Sequence, residues 1–311
     1  MALAVAIAKT GGPEVVGVIE RNLPPPGSGE VRVAVRAAAV HPSDIAFRER
    51  GIEGVAPPWV PGWDAAGTVE SVGPDVEGLA VGDAVMAVVS PRRPEGGAQS
   101  QLLVVPAASV VPVPAGASFE EASTLPMNGL TALRGLELLD LAAGATLLVT
   151  GGAGLLASYA IPLAKRAGLH VLADAGPLDE EGVRGFGADI VLPRGEGLTR
   201  AVREAAPDGV DAVFDTALLG REIFPAIRDG GALVFVRTWT GESIEAGITI
   251  HPVWVGDVLE RTEWLRELSQ LAGEGVLALR VAATFPPERA ADAQRLMEAG
   301  GIRGRAVVVF D

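Results

Sequence analysis

A chain of 311 residues, 49% hydrophobic and 21% charged, has length for two ordinary domains and enough apolar content to fold them. Its formal charge of −14, with no basic run to offset it, sets it against nucleic acid and anionic bilayers. Cysteine is absent, which removes disulfides, thiol catalysis and cysteine-based zinc sites together.

The opening MALAVAIAKTGG has an apolar run with no basic segment ahead of it. It predicts a first strand rather than a secretion signal, and hence a cytoplasmic protein. No apolar stretch approaches the ~20 residues needed to span a bilayer. Short β-branched runs follow at 31–35, 67–72, 84–89 and 101–105, separated by Gly/Pro turns such as Pro24-Pro25-Pro26-Gly27. That spacing predicts a partly closed barrel or sandwich up to about residue 114.

The pattern then changes. Residues 120–139 read as a helix and 145–149 as a buried strand, followed by a glycine-rich turn and a helix to 166. Strand and helix signals alternate through 171–173, 181–186, 190–192, 198–205, 212–215, 220–227 and 232–236, the mark of a doubly wound parallel sheet. A helix at 263–272, a strand at 277–281, a helix at 287–298 and a strand at 306–310 do not continue the alternation. They are expected to return to the first domain, leaving the parallel sheet as an insertion: residues 1–120 with 266–311 in one domain, 121–265 in the other.

Directly after the strand, Gly151-Gly152-Ala153-Gly154-Leu155-Leu156-Ala157 gives Gly-x-Gly-x-x-Ala at the head of a helix. Gly152 permits the tight turn, Gly154 lets backbone approach a pyrophosphate, and Ala157 allows close helix packing. The free N–H groups of the helix start suit phosphates. The alternative is a plain tight turn. Leu155 and Leu156 add bulk beside the phosphate path, and Pro162 inside the helix removes a donor and predicts a kink.

Taken in order, several segments resemble the zinc-free quinone oxidoreductase (zeta-crystallin-like) branch of the medium-chain dehydrogenase/reductase superfamily. They are Gly11-Gly12-Pro13-Glu14-Val15, Pro26-Gly27-Ser28-Gly29-Glu30-Val31, His41-Pro42-Ser43-Asp44, Pro61-Gly62-Trp63-Asp64-Ala65-Ala66-Gly67, Val81-Gly82-Asp83 and Gly129-Leu130-Thr131-Ala132. The glycine loop, Phe214-Asp215-Thr216 and Arg303-Gly304-Arg305-Ala306-Val307-Val308 complete them. The resemblance implies an α/β protein: a β-rich GroES-like catalytic domain plus a Rossmann doubly wound parallel-sheet domain. Zinc-dependent members of the superfamily carry a Cys ligand where this chain has His41 and a His ligand where it has Trp63. The resemblance therefore implies a metal-free enzyme.

It also implies site residues. His41 stands where zinc-free relatives usually have Asn, as a substrate contact or proton donor, or else as a hydrogen-bonded loop histidine. Asp44 lies near the nicotinamide end, or caps the helix at 45–50. Trp63 and Phe47 wall a pocket or fill a core, and Arg48 is expected in solvent. His170 reads as structural, and His251 and Trp254 sit where relatives extend a loop. Gln99 replaces the family's usual Tyr. Asn128 and Thr131 are implied near the nicotinamide, with Gly152, Ala153, Gly154, Leu155 and Leu156 at the phosphates. Thr216, Val236 and Arg237 are implied at ribose and carboxamide, with Arg237 replacing a usual Gly, as an anion clamp or in a surface ion pair.

The cofactor choice stays open between NADPH and NADH. Asp174 lies 174 − 152 = 22 residues beyond the first loop glycine, near the ~20 at which an acid binds the ribose 2′-hydroxyl of NAD. By the resemblance it stands one residue earlier than the family's usual acid, and strand side chains alternate faces. The acidic run Asp179-Glu180-Glu181 disfavours a 2′-phosphate, whereas the resemblance puts Arg194 in the place of a family Tyr that approaches that phosphate, and Arg suits one. The expected activity is hydride transfer from NAD(P)H to a quinone or α,β-unsaturated carbonyl, with a small-molecule substrate and a homodimer formed through an edge strand at 232–240. The alternative keeps the fold as a non-redox tailoring enzyme or binding protein with a degraded dinucleotide site.

Overall fold

Alternating β-branched residues build strands along the first part of the chain, because their side chains pack on a pleated surface. The strands are β1 (Ala2–Ile7), β2 (Val16–Arg21), β3 (Glu30–Ala39), β4 (Asp64–Val72), β5 (Ala84–Val88), β6 (Leu102–Pro106) and β7 (Val110–Pro112). β1 and β2 pair antiparallel with each other. β3 pairs with β4 and β6, β4 with β5, and β5 with β7, all antiparallel. Val31, Val33 and Val35 of β3 face the same core as Val69, Val85 and Val105. The computed structural model describes residues 1–311.

Helix α1 (Pro42–Arg50) follows β3. The run at 120–139 forms two helices rather than one, α2 (Phe119–Ala122) and α3 (Pro126–Leu139). Ser118 caps α2: its Oγ accepts the Glu121 N–H at 3.2 Å, and Glu121 accepts the Ser118 N–H at 2.9 Å. Pro126 then disfavours helix in the residue before it, so the run breaks there.

The parallel sheet comprises β8 (Thr146–Thr150), β9 (His170–Ala175), β10 (Ile190–Pro193), β11 (Val210–Asp215), β12 (Ile227–Phe235), β13 (Ile244–Glu245) and β14 (Ile248–Pro252). Its order is β10-β9-β8-β11-β12-β14-β13, parallel except for β13 against β14. Helices α4 (Leu155–Arg166), α5 (Glu180–Gly185) and α6 (Leu198–Ala205) connect its strands. α4 runs continuously across Pro162. Residues 220–226, expected as α-helix, form a 3-10 turn containing Pro225, and Ile227 already belongs to β12. The expected edge strand at 232–240 is also corrected. β12 lies inside the sheet, because β14 pairs along it, and the edge is the two-residue β13.

The chain ends with α7 (Thr262–Gly273), β15 (Val281–Phe285), α8 (Ala290–Ala299) and β16 (Arg305–Val309). β16 pairs antiparallel with β3 and parallel with β15. The strand expected at 277–281 starts only at Val281. Val276 and Leu277 instead turn back to the Leu271 carbonyl at the end of α7, where Leu277 is buried. Two compact units result: Met1–Met127 with Val258–Asp311, and Asn128–Asp257. No helix is long and apolar enough to cross a membrane.

Arg48 departs from expectation most sharply. It is 2% exposed, not solvated. Its Nε donates to the Gly11 carbonyl at 3.0 Å, its Nη1 to Gln294 Oε1 at 2.9 Å, and its Nη2 pairs with Glu298 on α8. The guanidinium fork satisfies three acceptors at once, which is what permits a cation inside. Arg48→Met keeps much of the volume but orphans buried Gln294 Oε1 and the Gly11 carbonyl. Stability should fall by about 1–2 kcal/mol, read from the urea midpoint at constant slope. An unchanged midpoint would mean these bonds contribute nothing net.

Candidate active site and dinucleotide loop

In the unit Asn128–Asp257, β8 ends at Thr150 and the chain turns through Gly151 at φ +67, a left-handed conformation that favours glycine. The Gly151 N–H donates to Asp174 Oδ1 at 2.5 Å, and the Gly152 N–H to the Asp174 carbonyl at 3.1 Å. A Cβ on Gly152 would stand 2.7 Å from that carbonyl and 3.2 Å from both Ala173 Cβ and Val183 Cγ1. Gly154 precedes the first residue of α4, and Ala157 is fully buried. Leu155 is buried, while Ala153 and Leu156 are partly exposed.

The neighbouring strand end is tied to the same place. Thr150 Oγ1 donates to Asp215 Oδ1 at 2.6 Å and accepts the Ala217 N–H at 3.1 Å. Asp215 Oδ2 takes the Gly220 N–H at 2.7 Å, and Thr216 Oγ1 donates to the Thr150 carbonyl at 2.6 Å. The carboxyl ends of β8 and β11 are thereby locked side by side, the position where doubly wound sheets take ligands. A glycine turn with no room for Cβ, followed by a helix start, fits a dinucleotide pyrophosphate.

Asp174 is buried and its carboxylate faces the loop. Burial pushes its pKa up, opposed by the Gly151 N–H and by the charge of Arg194. Arg194 is exposed, its own N–H bonded to the Ala175 carbonyl at 3.1 Å. Val236 is partly exposed and Arg237 exposed, just beyond β12. Asn128 and Thr131 are buried on α3. His170 is near Asp189 at 3.3 Å, His251 is half-buried on β14 with its pKa lowered by desolvation, and Trp254 is exposed.

In the other unit, His41 precedes α1 and is fully buried. Asp44, at the third helical position, reaches back and accepts the His41 N–H at 2.8 Å, capping the helix. It also accepts the Gly62 N–H at 3.0 Å and Gln99 Nε2 at 3.2 Å. Burial raises its pKa, with His41 opposing most strongly. Trp63 Nε1 donates to Ser43 Oγ at 3.0 Å, and the Trp63 and Phe47 rings stack at 6.5 Å; both side chains are buried. The residue that sequence reasoning did not single out is Asp64, whose Oδ2 lies 3.1 Å from His41 Nε2. An acid heading the otherwise apolar Asp64-Ala65-Ala66 run was the available signal. No group of three or more His, Cys, Asp or Glu side chains is placed to hold a metal ion. Trp63 offers no ligand, and Asp44 is committed to N–H donors, so a catalytic zinc does not fit here.

Residues 27–115 match the alcohol dehydrogenase GroES-like domain family and residues 186–308 the zinc-binding dehydrogenase family. The chain is 32% identical, over 93% of its length and 75% of the relative's, to the chloroplastic NADPH-dependent alkenal/one oxidoreductase of Arabidopsis thaliana. It is 29% identical, over 93% of its length and 74% of the relative's, to the 2-methylene-furan-3-one reductase of Solanum lycopersicum. The quinone oxidoreductase structure from Coxiella burnetii superposes with TM-score 0.85 at 25% identity, covering 100% of this chain and 99% of that one. This chain belongs to the medium-chain dehydrogenase/reductase superfamily, in its quinone oxidoreductase branch.

Proposed function

We propose that this protein reduces a quinone or an α,β-unsaturated carbonyl compound with NADPH and without a metal ion. The observation that carries the reading is the glycine loop, closed by the Asp174 carboxylate and too tight at Gly152 for any side chain. The reductase names of the relatives support the chemistry, and the NADPH in one of those names supports the cofactor. Leu155 and Leu156 offer their backbone N–H groups to the pyrophosphate at the start of α4, and Gly152, Ala153 and Gly154 shape the turn that lets it approach. Asn128, Thr131, Thr216, Val236 and Arg237 contact the nicotinamide half.

The NADPH choice rests on Asp174 and Arg194. A buried carboxylate already bonded to Gly151 is poorly free to take a ribose hydroxyl, whereas exposed Arg194 suits a 2′-phosphate. The dinucleotide, when bound, supplies the hydride. His41 supplies the proton that completes reduction, and Asp44 fixes the backbone on which His41 sits. Trp63 and Phe47 exclude water beside it. The same reading makes the protein a cytoplasmic homodimer that meets its partner through β13, where Ile244 is exposed; its mass in solution checks this.

The direct test offers purified protein NADPH or NADH with a panel of quinones and enones, following absorbance at the nicotinamide band. Oxidation with NADPH and at least one acceptor is expected. No turnover with either cofactor at saturation would sink the reading.

A further inference from the structure

In the order β10-β9-β8-β11-β12, the chain leaves β8 on one side through β9 to β10 and returns on the other through β11 to β12. The crevice at the carboxyl ends of β8 and β11 is therefore the switch point of the sheet, where doubly wound folds take ligands. Gly151 turns the chain out of β8, and residues 216–219 carry it out of β11. The two turns touch: a Cβ on Gly151 would stand 3.1 Å from Thr216 Oγ1 and 3.3 Å from Ala217 Cβ.

Leu218 follows at φ +63. A left-handed backbone brings Cβ close to the following carbonyl oxygen, a strain that glycine escapes by having no Cβ. Tethers on both sides impose it here. Thr150 Oγ1 accepts the Ala217 N–H at 3.1 Å before it, and the buried Asp215 carboxylate accepts the Gly220 N–H at 2.7 Å after it. Gly220 is also backed by aromatic rings, since a Cβ there would lie 3.8 Å from Trp239 and 3.9 Å from Phe235. Leu219 packs against the core around Val213, Ile223 and Leu233, whereas Leu218 stays half-buried. Full burial does not offset its strain. A strained leucine at the rim of a ligand crevice points to a contact with the ligand.

The sheet also decides which part of a dinucleotide reaches it. Asp174 lies near the end of β9 and Arg194 just past β10, both on the far side of β8 from Leu218. With the 2′-phosphate at Arg194 and the pyrophosphate at the start of α4, the nicotinamide half extends over the end of β11.

We propose that Leu218 is a cofactor contact: its side chain covers the nicotinamide ribose and shuts water from that half, and the strained turn is kept for this contact. The proposal deepens the dinucleotide reading and rests on it. A leucine contributes apolar cover without a hydrogen bond, so it serves NADPH and NADH alike.

The test titrates the full chain and its variants Leu218→Ala, Leu218→Gly and Leu218→Met with NADPH and with adenosine 2′,5′-bisphosphate, which lacks the nicotinamide half. The Kd for NADPH should rise about five- to tenfold in Leu218→Ala and Leu218→Gly, the loss of one partly covered apolar side chain. The bisphosphate Kd should stay within about twofold in both, and Leu218→Met, which keeps the bulk, should hold NADPH within about threefold of wild type. Thermal unfolding without ligand reads the strain separately. Leu218→Gly should melt above Leu218→Ala, the reverse of the usual order, because glycine alone of the two relaxes a left-handed backbone. A purely structural role would move stability and leave the ratio of the two Kd values alone. In NADPH-loaded wild type, NOEs should join the Leu218 methyls, assigned by their loss in Leu218→Met, to nicotinamide ribose protons; that measurement stands even where a smaller residue fails to fold. Missing NOEs, an unmoved NADPH Kd in Leu218→Ala and Leu218→Gly, or a bisphosphate weakened as much as NADPH would overturn the contact. Leu218→Ala melting above Leu218→Gly would overturn the strain. Wild-type protein that binds neither ligand would instead remove the dinucleotide reading, and the proposal with it.

Discussion

Gly152→Val should raise the Kd for NADPH at least 100-fold, equivalent to ~2.7 kcal/mol. The first side-chain atom is enough to disturb the loop: it would meet the Asp174 carbonyl at 2.7 Å, and that same carbonyl accepts the Gly152 N–H. β9 is fixed on both sides, by β8 and β10, so Asp174 cannot retreat without breaking the ladder. The loop must move instead, carrying the start of α4 and its N–H groups away from where the phosphates would sit. Gly152→Ala should already cost about tenfold by the same arithmetic. Gly154 is looser, with the Gly151 carbonyl at 3.1 Å, and Gly154→Ala should cost less than Gly152→Ala. Gly182→Ala is the control, since nothing lies within 4 Å of its Cβ position and it should leave the Kd unchanged. Quenching of nicotinamide fluorescence reads the binding, and circular dichroism checks that each variant folds. Wild-type affinity in Gly152→Val would place the pyrophosphate elsewhere.

The loop was legible in the sequence because its logic is local: a strand, a turn that only glycine can make, and a helix start are consecutive in the chain. So were the alternation of strands and helices and the bounds of α6, where apolar residues at 198 and 202 repeat with helical period. What was not legible depends on partners distant in sequence. Arg48 reads as a solvated charge until α8, some 250 residues away, supplies Gln294 and Glu298. β12 reads as an edge until β14 returns to pair with it. Asp64 reads as one more acid in a chain that has 39 acidic residues, and only the fold brings its carboxylate to His41. Asp174 is the clearest case. Its spacing from the loop points to a ribose acid, but the side chain's face of the strand decides its role, and that face is turned to Gly151.

That orientation makes a prediction that separates the two cofactors. Arg194→Ala should raise the KM for NADPH by about 30- to 100-fold, because a charge-assisted contact to phosphate is worth ~2–3 kcal/mol. The KM for NADH should change less than twofold. The local field amplifies the effect: Asp179, Glu180 and Glu181 stand at the start of α5, and a 2′-phosphate held without Arg194 would meet their like charge. Raising the ionic strength should weaken NADPH in the wild type more than in Arg194→Ala, since exposed charges are screened. Asp174→Asn completes the comparison. An amide oxygen can still accept the Gly151 N–H, and burial already disfavours the carboxylate's charge, so the loop should persist. If Asp174 held the ribose 2′-hydroxyl, the same change would raise the KM for NADH about tenfold, the loss of one charged hydrogen bond. With its carboxylate committed to Gly151, the KM for NADH should instead stay within twofold. The pair of variants thus reads the ribose from both sides, and an NADPH-to-NADH preference unmoved in Arg194→Ala would return the 2′-position to another residue.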